Sequence, residues 1–375
     1  MKIVVTGTRG IPNIQGGVET HCEELFPRIS KLGFEVCIIR RSCYIPAGDT
    51  LSEFKGVKLR TLYAPHLKSL EAILHTFLAV IWAKKHKADI IHIHAIGPAI
   101  MVPFARLLGL KVVFTHHGPD YDRSKWGRFA KLFLKTGERF GTYSSNEIIV
   151  ISEVIKKSLS EKYNRNNTHL IFNGVVAPCI TGNTAYIRSL GLVPGKYVFT
   201  LGRFVEEKGF DLLIRTFKKL NKSGYTLVIA GDSDHETAYS KRLKALANDS
   251  NVVLTGFIKG DNLNELFSHA RLFVLPSFHE GLPISLLEAM SYNLPVLVSD
   301  IPANKQVNLP QDKYFITGDE ESLLKELDSH LNIDFKPIYY DLTPYNWDKI
   351  AIQTSEIYNK IHFEHLSGKT LNINR

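Results

Sequence analysis

The sequence predicts an α/β protein made of two tandem Rossmann-like, doubly wound domains. Short runs rich in Val and Ile alternate with longer amphipathic segments, as buried parallel strands alternate with the helices that cover them. The alternation occurs twice and is interrupted once by a stretch with little periodicity. The length of 375 residues also exceeds the usual size of a single hydrophobic core, so two domains are expected.

The first alternation predicts an N-terminal domain over residues 1–175. Its strands should be buried on both faces, because they are short continuous apolar runs. The expected strands are Lys2–Thr6, Glu35–Arg40, Val57–Leu62, Asp89–His94, Lys111–His116 and Glu147–Ile151. The expected helices are Val18–Lys31, Leu67–Lys85 and Lys125–Phe140.

The second alternation predicts a C-terminal domain over residues 192–345, after a linker, 176–191, rich in small and turn-forming residues. The expected strands are Tyr197–Leu201, Tyr225–Ala230, Val252–Thr255, Leu272–Leu275 and Pro295–Ser299. The expected helices are Gly209–Leu220, Glu236–Leu246, Asn262–His269, Ser285–Tyr292 and Glu320–Leu331. A last helix, Trp347–Ile361, lies in the segment 346–375, which we expect to return to the first domain. Two such domains predict a cleft lined by the loops that follow the strands.

Positive charge is concentrated in the first half of the chain. Residues 1–180 hold 25 Lys and Arg against 14 Asp and Glu, a balance of +11, whereas residues 181–375 hold 21 against 23, a balance of −2. This asymmetry favours contact with an anionic membrane surface or a phosphorylated lipid, and a solvated surface that aids solubility stays open as the alternative. A nucleic-acid partner is not expected, because no finger-like, RNP-like or interleaved aromatic and basic pattern occurs.

The cysteines and the apolar runs indicate a cytoplasmic protein. The four cysteines form no CxxC pair, which favours free thiols in a reducing compartment over disulfides or a cysteine-based metal site. The opening Met1–Gly7 resembles a first strand more than a signal peptide. No apolar run reaches the roughly 18 residues that a membrane span requires.

The segment Phe278–Met290 is the most informative about function. Glu280 and Glu288 are eight positions apart, and Pro283 predicts a helix start between them. Gly281 allows a tight turn and close approach of a ligand, and the free N–H groups of a helix start favour an anionic diphosphate. The carboxylates would repel phosphate, so we expect them to accept hydrogen bonds from sugar hydroxyls. The implied ligand carries both phosphates and hydroxyls.

A glycine pair, Gly16 and Gly17, precedes the first predicted helix. Its backbone N–H groups could bind a phosphate without interference from a side chain, although a structural turn is the alternative. Glu19 would then stabilise the first helical turn.

Two histidines follow the predicted strand that ends near residue 116. His117 is favoured over His116 as the ligand-binding residue, because it immediately precedes Gly118. A metal site is not expected here: His92 and His94 alternate with isoleucines as strand residues do, and no Cys/His set has zinc spacing.

Two cations flank the loop that follows the first strand of the second domain. Arg203 follows Gly202, and Lys208 precedes Gly209. The guanidinium fork and the ammonium point charge suit a diphosphate, whereas a pair of exposed cations near Glu206 is the alternative.

Together these segments resemble the family-four retaining glycosyltransferases of GT-B fold, which use nucleotide-activated sugars. The resemblance spans most of the chain, and the paired glutamates with Gly-Arg and Glu-Lys-Gly are its most specific part. Its motifs are Gly16-Gly17 with Glu19, His117-Gly118, Asn173-Gly174-Val175, Gly202-Arg203, Glu207-Lys208-Gly209, Ala230-Gly231, Gly256, Glu280-Gly281, Glu288-Ala289-Met290 and Trp347.

The resemblance implies roles for these residues. Arg203 and Lys208 would hold the diphosphate, Glu288 the ribose hydroxyls, Glu280 and His117 the donor sugar, and Gly17 a phosphate. Further donor contacts are expected from Gly16, Gly281, Leu282 and Pro283. The loop Ser299–Asn304 departs from the Gly-Gly pair of many relatives, and the opening Gly7–Pro12 is similar to a bacterial subgroup often labelled rhamnosyltransferases.

The resemblance thus implies transfer of a sugar from a nucleoside-diphosphate sugar to a glycan or lipid-linked acceptor, with retention of configuration, no cofactor and no metal. Catalysis is expected from His117, Glu280, Arg203 and Lys208. A dinucleotide-dependent oxidoreductase is an alternative, although no Gly-x-Gly-x-x-Gly loop follows a strand. A pyridoxal-dependent phosphorylase would need a Schiff-base lysine, and an inactive sugar-nucleotide binding protein would keep only the phosphate contacts.

Overall fold

A computed structural model describes residues 1–67, 70–122, 127–248 and 251–373. The chain forms two compact units: unit 1 comprises Met1–Asn173 and Asn346–Arg375, and unit 2 comprises Gly174–Tyr345. Residues 68–69 of the expected helix Leu67–Lys85 lie outside the described residues, and so does Lys125, the expected start of the helix Lys125–Phe140.

Unit 1 is built on a largely parallel sheet. Within the described residues its strands are β1 Lys2–Thr6, β2 Glu35–Arg41, β3 Glu53–Phe54, β4 Val57–Leu62, β5 Ile90–His94, β6 Lys111–His116, β7 Glu147–Val150 and β8 His169–Leu170. They are ordered β3-β4-β2-β1-β5-β6-β7-β8, and the short β3 pairs antiparallel with β4. The helices before the crossover to unit 2 are α1 Gly17–Lys31, α2 Glu71–Lys85, α3 Val102–Leu107, α4 Arg128–Ser144 and α5 Glu153–Tyr163.

Unit 2 contains a parallel sheet ordered β11-β10-β9-β12-β13-β14. This order corresponds to 3-2-1-4-5-6 in the numbering of the unit, which is the doubly wound arrangement of dinucleotide-binding folds. Its strands are β9 Tyr197–Leu201, β10 Thr226–Ala230, β11 Val252–Gly256, β12 Leu272–Leu275, β13 Val296–Ser299 and β14 Tyr314–Phe315. Its helices are α6 Ala185–Ser189, α7 Phe210–Leu220, α8 Ala238–Ala247, α9 Asp261–His269, α10 Ile284–Ser291, α11 Pro302–Lys305 and α12 Glu320–Asn332. The two predicted Rossmann-like sheets are therefore confirmed.

The last helix, α13 Trp347–Ile373, belongs to unit 1. Trp347 and Tyr358 are buried in the same core cluster as Phe26 of α1. The Tyr358 hydroxyl also lies 2.6 Å from Nδ1 of His92 on β5, so an apolar and a polar contact both hold the helix in place.

The segment predicted as a linker, 176–191, differs from the expectation because it contains α6 and packs within unit 2. The N–H of Ile187 donates to the buried Glu265 carboxylate at 2.8 Å, and the Ile187 side chain is fully buried. The helix is only five residues long, too short to give a periodic signal in the sequence.

The strand order reverses at the centre of each sheet. β1 lies between β2 and β5, and β9 lies between β10 and β12, so consecutive connections leave these central strands in opposite directions. Open α/β sheets bind ligands in the crevice at such a reversal, beyond the carboxyl ends of the strands. The loops that follow β1, β5, β9 and β12 are therefore where the fold itself places a ligand.

No helix in the described part of the chain is both long and apolar enough to cross a bilayer. The four cysteines are free thiols.

We expect unit 1 to lose stability in acid through His75, which lies fully buried on α2. Burial, and then the positive charge of Arg41, lower the pKa of His75 from 6.5 to about 3, against a backbone hydrogen bond to Arg40 that raises it. Below pH 6.5 the unfolded chain therefore binds a proton at His75 that the folded chain does not bind. The contribution of neutral His75 to the free energy of unfolding is fully present above pH 6.5 and decreases as the pH falls toward 3.

Urea unfolding between pH 7 and 4 tests this expectation. All three tryptophans fall in the sequence of unit 1, so their fluorescence reports on this unit alone. His75→Leu should remove about 1 kcal/mol per pH unit of the acid dependence, whereas Ile81→Leu, an exposed and uncharged replacement on the same helix, should not. Parallel curves for wild type and His75→Leu would show that the buried imidazole does not titrate as described.

Candidate functional site

The loop between β9 and α7 is shaped by Gly209. This glycine has a φ of +64°, and a Cβ atom there would lie 2.3 Å from the carbonyl oxygen of Pro276 in the loop that follows β12. The close approach brings together the two loops at the central reversal of the unit 2 sheet. Lys208, the residue before Gly209, is thereby placed beside the second loop.

Lys208 and Glu280 form an ion pair across these two loops. The Lys208 Nζ lies 2.6 Å from Oε1 of Glu280, and the Ser277 hydroxyl donates to the same oxygen at 2.6 Å. The N–H of Phe278 donates to the Glu207 carbonyl at 2.8 Å and joins the loops a second time. The two side chains are only 17% and 12% exposed, so water screens the charges less than it would on an open surface.

Arg203 lies in the same β9–α7 loop and pairs with a residue that the sequence analysis missed. Its Nη1 lies 3.0 Å from Oδ2 of Asp234, in the loop after β10. The position of Asp234 after a neighbouring strand was the available signal. Both predicted phosphate-binding cations are thus paired with carboxylates in this structure.

The helix after Glu280 begins at Ile284, one residue after the start that Pro283 predicts and one residue before the expected range Ser285–Tyr292. Pro283 is the N-cap of α10, with an extended ψ of 112°, and is not its first helical residue. Its carbonyl oxygen instead accepts the N–H of Leu286 at 3.2 Å. Leu282 and Pro283 are both buried, and Leu282 is only 3% exposed. Glu288, the fifth residue of α10, is half-buried.

The segment Ser299–Asn304, which lacks the Gly-Gly pair of many relatives, supports the Glu280 loop. The buried Asn304 amide donates to the Ser299 carbonyl at 2.9 Å, and the Ser299 hydroxyl donates to the carbonyl of Ser277. Gln306 Nε2 donates to the Gly281 carbonyl at 3.0 Å. These bonds fix the backbone that carries Glu280.

The two glycines of the unit 1 pair differ in environment, and Gly17 is the exposed one. A Cβ atom on Gly17 would meet nothing within 4 Å, whereas one on Gly16 would lie 2.0 Å from the Glu19 carboxylate. Glu19 is 5% exposed and accepts the Arg9 N–H at 3.0 Å and the Thr8 hydroxyl at 3.3 Å. Glu19 therefore organises the whole β1–α1 loop as well as the first turn of the helix.

His116 and His117 have different environments. His116 is 1% exposed; its Nε2 lies 2.8 Å from Glu138, and its Nδ1 accepts the Gly118 N–H at 3.1 Å. Both of its ring nitrogens are therefore used inside the protein. His117 is partly exposed, and its Nε2 lies 2.9 Å from Nδ1 of His94, the last residue of β5.

His117 belongs to a group of histidines that the sequence did not reveal. Its ring centroid lies 4.9 Å from that of His21 on α1 and 5.2 Å from that of His94. Burial lowers the pKa of His21 from 6.5 to about 4 and the pKa of His94 and His117 well below 6.5, so the rings are neutral near pH 7. The three residues lie far apart in sequence, and only the position of His21 among the apolar residues of α1 hinted at its burial.

Comparison with known proteins gives matches over most of the chain. Residues 15–177 match the family model described as glycosyltransferase family 4, and residues 184–338 match the model described as glycosyl transferases group 1. An uncharacterised glycosyltransferase of Methanocaldococcus jannaschii is 26% identical over 96% of this chain and 98% of its own length. The Escherichia coli UDP-Gal:α-D-GlcNAc-diphosphoundecaprenol α-1,3-galactosyltransferase is 27% identical over 81% of each chain.

Solved structures share the fold. Sucrose-phosphate synthase from Thermosynechococcus elongatus superposes with a TM-score of 0.81 at 18% identity, over 97% of this chain and 99% of its own. HepE from Anabaena, in complex with UDP, gives a TM-score of 0.73 at 16% identity, over 96% of this chain and 100% of its own.

Gly209→Ala should disturb unit 2 more than a glycine replacement in open space. Both Gly209 and Gly191 have left-handed backbones, with φ of +64° and +72°, but a Cβ atom on Gly191 would meet nothing within 4 Å. Gly191→Ala should therefore cost about 1 kcal/mol, and Gly209→Ala more than about 2 kcal/mol because the Pro276 carbonyl must move. Thermal unfolding followed by far-UV circular dichroism measures both, and equal losses would contradict the close approach of the two loops.

Proposed function

The chain belongs to the family-four glycosyltransferases of GT-B fold, and we propose that it transfers a glycosyl group from a nucleoside-diphosphate sugar to a hydroxyl of a glycan or lipid-linked glycan, with retention of configuration. The proposed setting is the synthesis of a cell-surface polysaccharide. The observation that carries the proposal is the Lys208–Glu280 ion pair at the sheet reversal of unit 2, with Arg203 in the same loop.

The two cations would act on the leaving group. When the bond between the anomeric carbon and the phosphate oxygen breaks, negative charge develops on the diphosphate, and Lys208 and Arg203 would stabilise it more strongly than the ground state. Because these side chains supply the positive charge, we propose that no divalent ion bridging the phosphates and no organic cofactor is needed.

Binding of the diphosphate would exchange the partners of the two cations. Lys208 would leave Glu280 and Arg203 would leave Asp234 for phosphate oxygens. Glu280, still held by the Ser277 hydroxyl, would then accept hydrogen bonds from hydroxyls of the donor sugar, and Glu288 from the ribose. Asp234 and Glu280 would thus hold the cations in position before the donor binds, and Glu280 would accept hydrogen bonds from the donor hydroxyls afterwards.

Retention follows if the acceptor attacks from the face that the diphosphate leaves. The acceptor oxygen bonds to the anomeric carbon, and its proton passes to an oxygen of the departing phosphate. The remaining assignments, His117 to the donor sugar and Gly17 to a phosphate, rest on the family resemblance and on the accessibility of both residues within unit 1.

Replacement of the cations should lower transfer strongly. Lys208→Ala and Arg203→Ala should each reduce kcat/KM by roughly 100-fold or more, because each removes charge stabilisation of the leaving group. A panel of UDP-, GDP- and dTDP-sugars with a lipid-linked acceptor provides the measurement, and the anomeric configuration of the product tests retention. Lys222→Ala is the matched control, because Lys222, two residues after α7, forms a similar 2.8 Å pair with Asp328 of α12.

Three outcomes would contradict the proposal. Unchanged turnover in both variants would place the site elsewhere, and binding of NAD alone would favour the oxidoreductase. Nucleotide binding without turnover on any donor would favour an inactive sugar-nucleotide binding protein.

We also propose that unit 1 contacts an anionic membrane at the cytoplasmic face, where a lipid-linked acceptor would lie. On α4, Phe129, Leu132, Phe140 and Tyr143 are exposed at helical spacing, with Phe129 91% exposed. A second line of basic residues follows the same helix: Arg128, Lys131, Lys135 and Arg139. Parallel apolar and basic lines on one surface helix suit the headgroup boundary of an anionic leaflet.

Sedimentation with vesicles tests the α4 surface. Phe129→Ser with Leu132→Ser should abolish most binding to phosphatidylglycerol-containing vesicles. Arg128→Glu with Lys131→Glu should weaken binding roughly 10-fold or more and reduce its salt dependence, with Lys135 and Arg139 still present. Vesicles of phosphatidylcholine alone should bind poorly. Lys241→Glu with Lys325→Glu on unit 2 is the charge-matched control, and equal loss in that control would show that net charge, and not α4, determines binding.

A further inference from the structure

We propose that His116 and Glu138 are positioning residues for the proposed transfer reaction, on which this inference rests. They fix the peptide between His117 and Gly118 at the carboxyl end of β6. Hydrogen bonds connect Glu138 on α4 to the ring of His116, and the same ring to the backbone N–H of Gly118. His116 would thus act through the backbone, whereas His117 is assigned to the donor sugar.

Glu138 is a buried carboxylate that several donors contact. It is 1% exposed, and its Oε1 lies 2.8 Å from Nε2 of His116. The hydroxyls of Tyr121 and Tyr163 donate to it at 3.0 and 2.7 Å. Burial raises the pKa of this carboxyl, but the hydrogen bonds from His116 and Tyr163 oppose burial, and the net shift of the pKa is downward. Glu138 is therefore ionised near pH 7 and only accepts hydrogen bonds.

The two partners of His116 determine which of its ring nitrogens carries the proton. Because the Glu138 carboxylate only accepts, Nε2 of His116 is the protonated nitrogen. The N–H of Gly118 only donates, and it lies 3.1 Å from Nδ1, which therefore presents its lone pair. The ring is thus held in one neutral tautomer and in one orientation.

His92 on the neighbouring β5 has no such constraint, although it is also fully buried. Its nitrogens lie 2.6 Å from the hydroxyls of Tyr358 and Thr115, and a hydroxyl can either donate or accept. Both tautomers of His92 are therefore compatible with its partners. An acceptor-only partner on one side and a donor-only partner on the other are what fix the ring of His116.

The N–H that binds His116 belongs to the peptide that follows His117. Gly118 has a φ of +143°, which favours glycine, and its carbonyl oxygen accepts the N–H of Asp120 at 3.0 Å. Hydrogen bonds on both sides of Gly118 therefore define the turn after β6. The bond to His116 fixes the ψ of His117, and with it the direction in which the loop leaves the sheet.

A group that contacts a reacting sugar tolerates little displacement, because a shift of about 1 Å can cost roughly 100-fold in rate. Loss of the bond between His116 and Gly118 should therefore lower kcat. The proposed diphosphate contacts, Arg203 and Lys208, belong to unit 2 and are not altered by such a change. The KM for the donor should accordingly change much less than kcat.

Two replacements of His116 separate its two hydrogen bonds. The side-chain oxygen of Asn lies about where Nδ1 lies, so His116→Asn can keep the Gly118 bond while it loses Glu138. The amide nitrogen of Gln lies about where Nε2 lies, so His116→Gln can keep the Glu138 bond while it loses Gly118. We expect kcat within about 5-fold of wild type in His116→Asn, a fall of roughly 30- to 100-fold in His116→Gln, and donor KM within about 3-fold in both.

The stability of the two variants should follow the opposite order. His116→Asn leaves the buried Glu138 carboxylate without one of its donors, and an unpaired charged group costs more than an unpaired backbone N–H. The unfolding midpoint reported by tryptophan fluorescence should therefore be lower in His116→Asn than in His116→Gln. A histidine with only a structural role would lose activity and stability together.

Glu147 and His169 provide a matched control within unit 1. Oε2 of Glu147 on β7 lies 2.7 Å from Nε2 of His169, and Glu147 is 6% exposed, so this is another buried glutamate with a histidine partner. Glu138→Ala should lower kcat by roughly 30-fold or more, whereas Glu147→Ala should lower the unfolding midpoint and leave kcat within about 2-fold of wild type. Equal losses of kcat in these two variants would overturn the positioning role.

The tautomer of His116 can be measured independently of turnover, by heteronuclear NMR of protein labelled at its histidine side chains. The ring signal that disappears in His116→Gln should show a neutral ring protonated at Nε2 in wild type, and a mixture of tautomers in Glu138→Ala. A charged ring, or a ring protonated at Nδ1, would overturn the inference even if transfer is confirmed.

The outcomes separate the positioning role from the proposed function. If transfer is lost in Arg203→Ala and Lys208→Ala but falls equally in His116→Asn and His116→Gln, only the positioning role is refuted. If wild type transfers no sugar from any donor, the proposed function is refuted and the positioning role with it.

Discussion

The reversal of strand order at the centre of a parallel sheet is the constraint on which the rest of this structure depends. In unit 2, β9 and β12 are neighbours whose following loops leave the sheet at the same edge. That topology brings residues 208 and 280 together although 72 positions separate them. The same constraint in unit 1 brings the ends of β1 and β5 together and collects histidines from three elements.

Charge in the unit 2 site is balanced before any ligand arrives. Each cation has a carboxylate partner, and each partner comes from the loop after a different strand. A partly buried unpaired cation would be costly, whereas a paired one can exchange its carboxylate for a phosphate with little change in local charge. Hydrogen bonds from Ser299, Asn304 and Gln306 support the backbone of the Glu280 loop, so the proposed exchange would need only side-chain movement.

The sequence predicted the architecture well because both alternations have strong local signals. Apolar runs gave the central strands of both sheets nearly to the residue, and glycines with prolines marked the loops of the unit 2 site. The short α6 was missed because five residues show no period. Pro283 was predicted as the first helical residue but is the N-cap, because its ψ depends on packing that the sequence does not show. The roles proposed for Arg203, Lys208, Glu280 and Glu288 stay predictions.

No spacing pattern in the sequence predicted which side chains contact each other over long range. Asp234 and Ser277 contact the predicted residues through strand order, and no spacing rule connects His21, His94 and His117. The alternation of His92 and His94 with isoleucines correctly indicated a strand. It did not show that both ring nitrogens of His92 have hydrogen-bond partners, whereas Nε2 of His94 has none among the described residues.

The central claim is that Arg203 and Lys208 bind the diphosphate of a nucleotide donor. The most direct measurement compares, by calorimetry, the affinities of each diphosphate and its nucleoside: UDP with uridine, GDP with guanosine and dTDP with thymidine. We expect the preferred diphosphate to bind wild type at least ~100-fold more tightly than its nucleoside does. In the double variant Arg203→Ala with Lys208→Ala, this ratio should fall close to one while the nucleoside affinity stays unchanged. A ratio that survives the double replacement would show that these two cations do not bind the diphosphate.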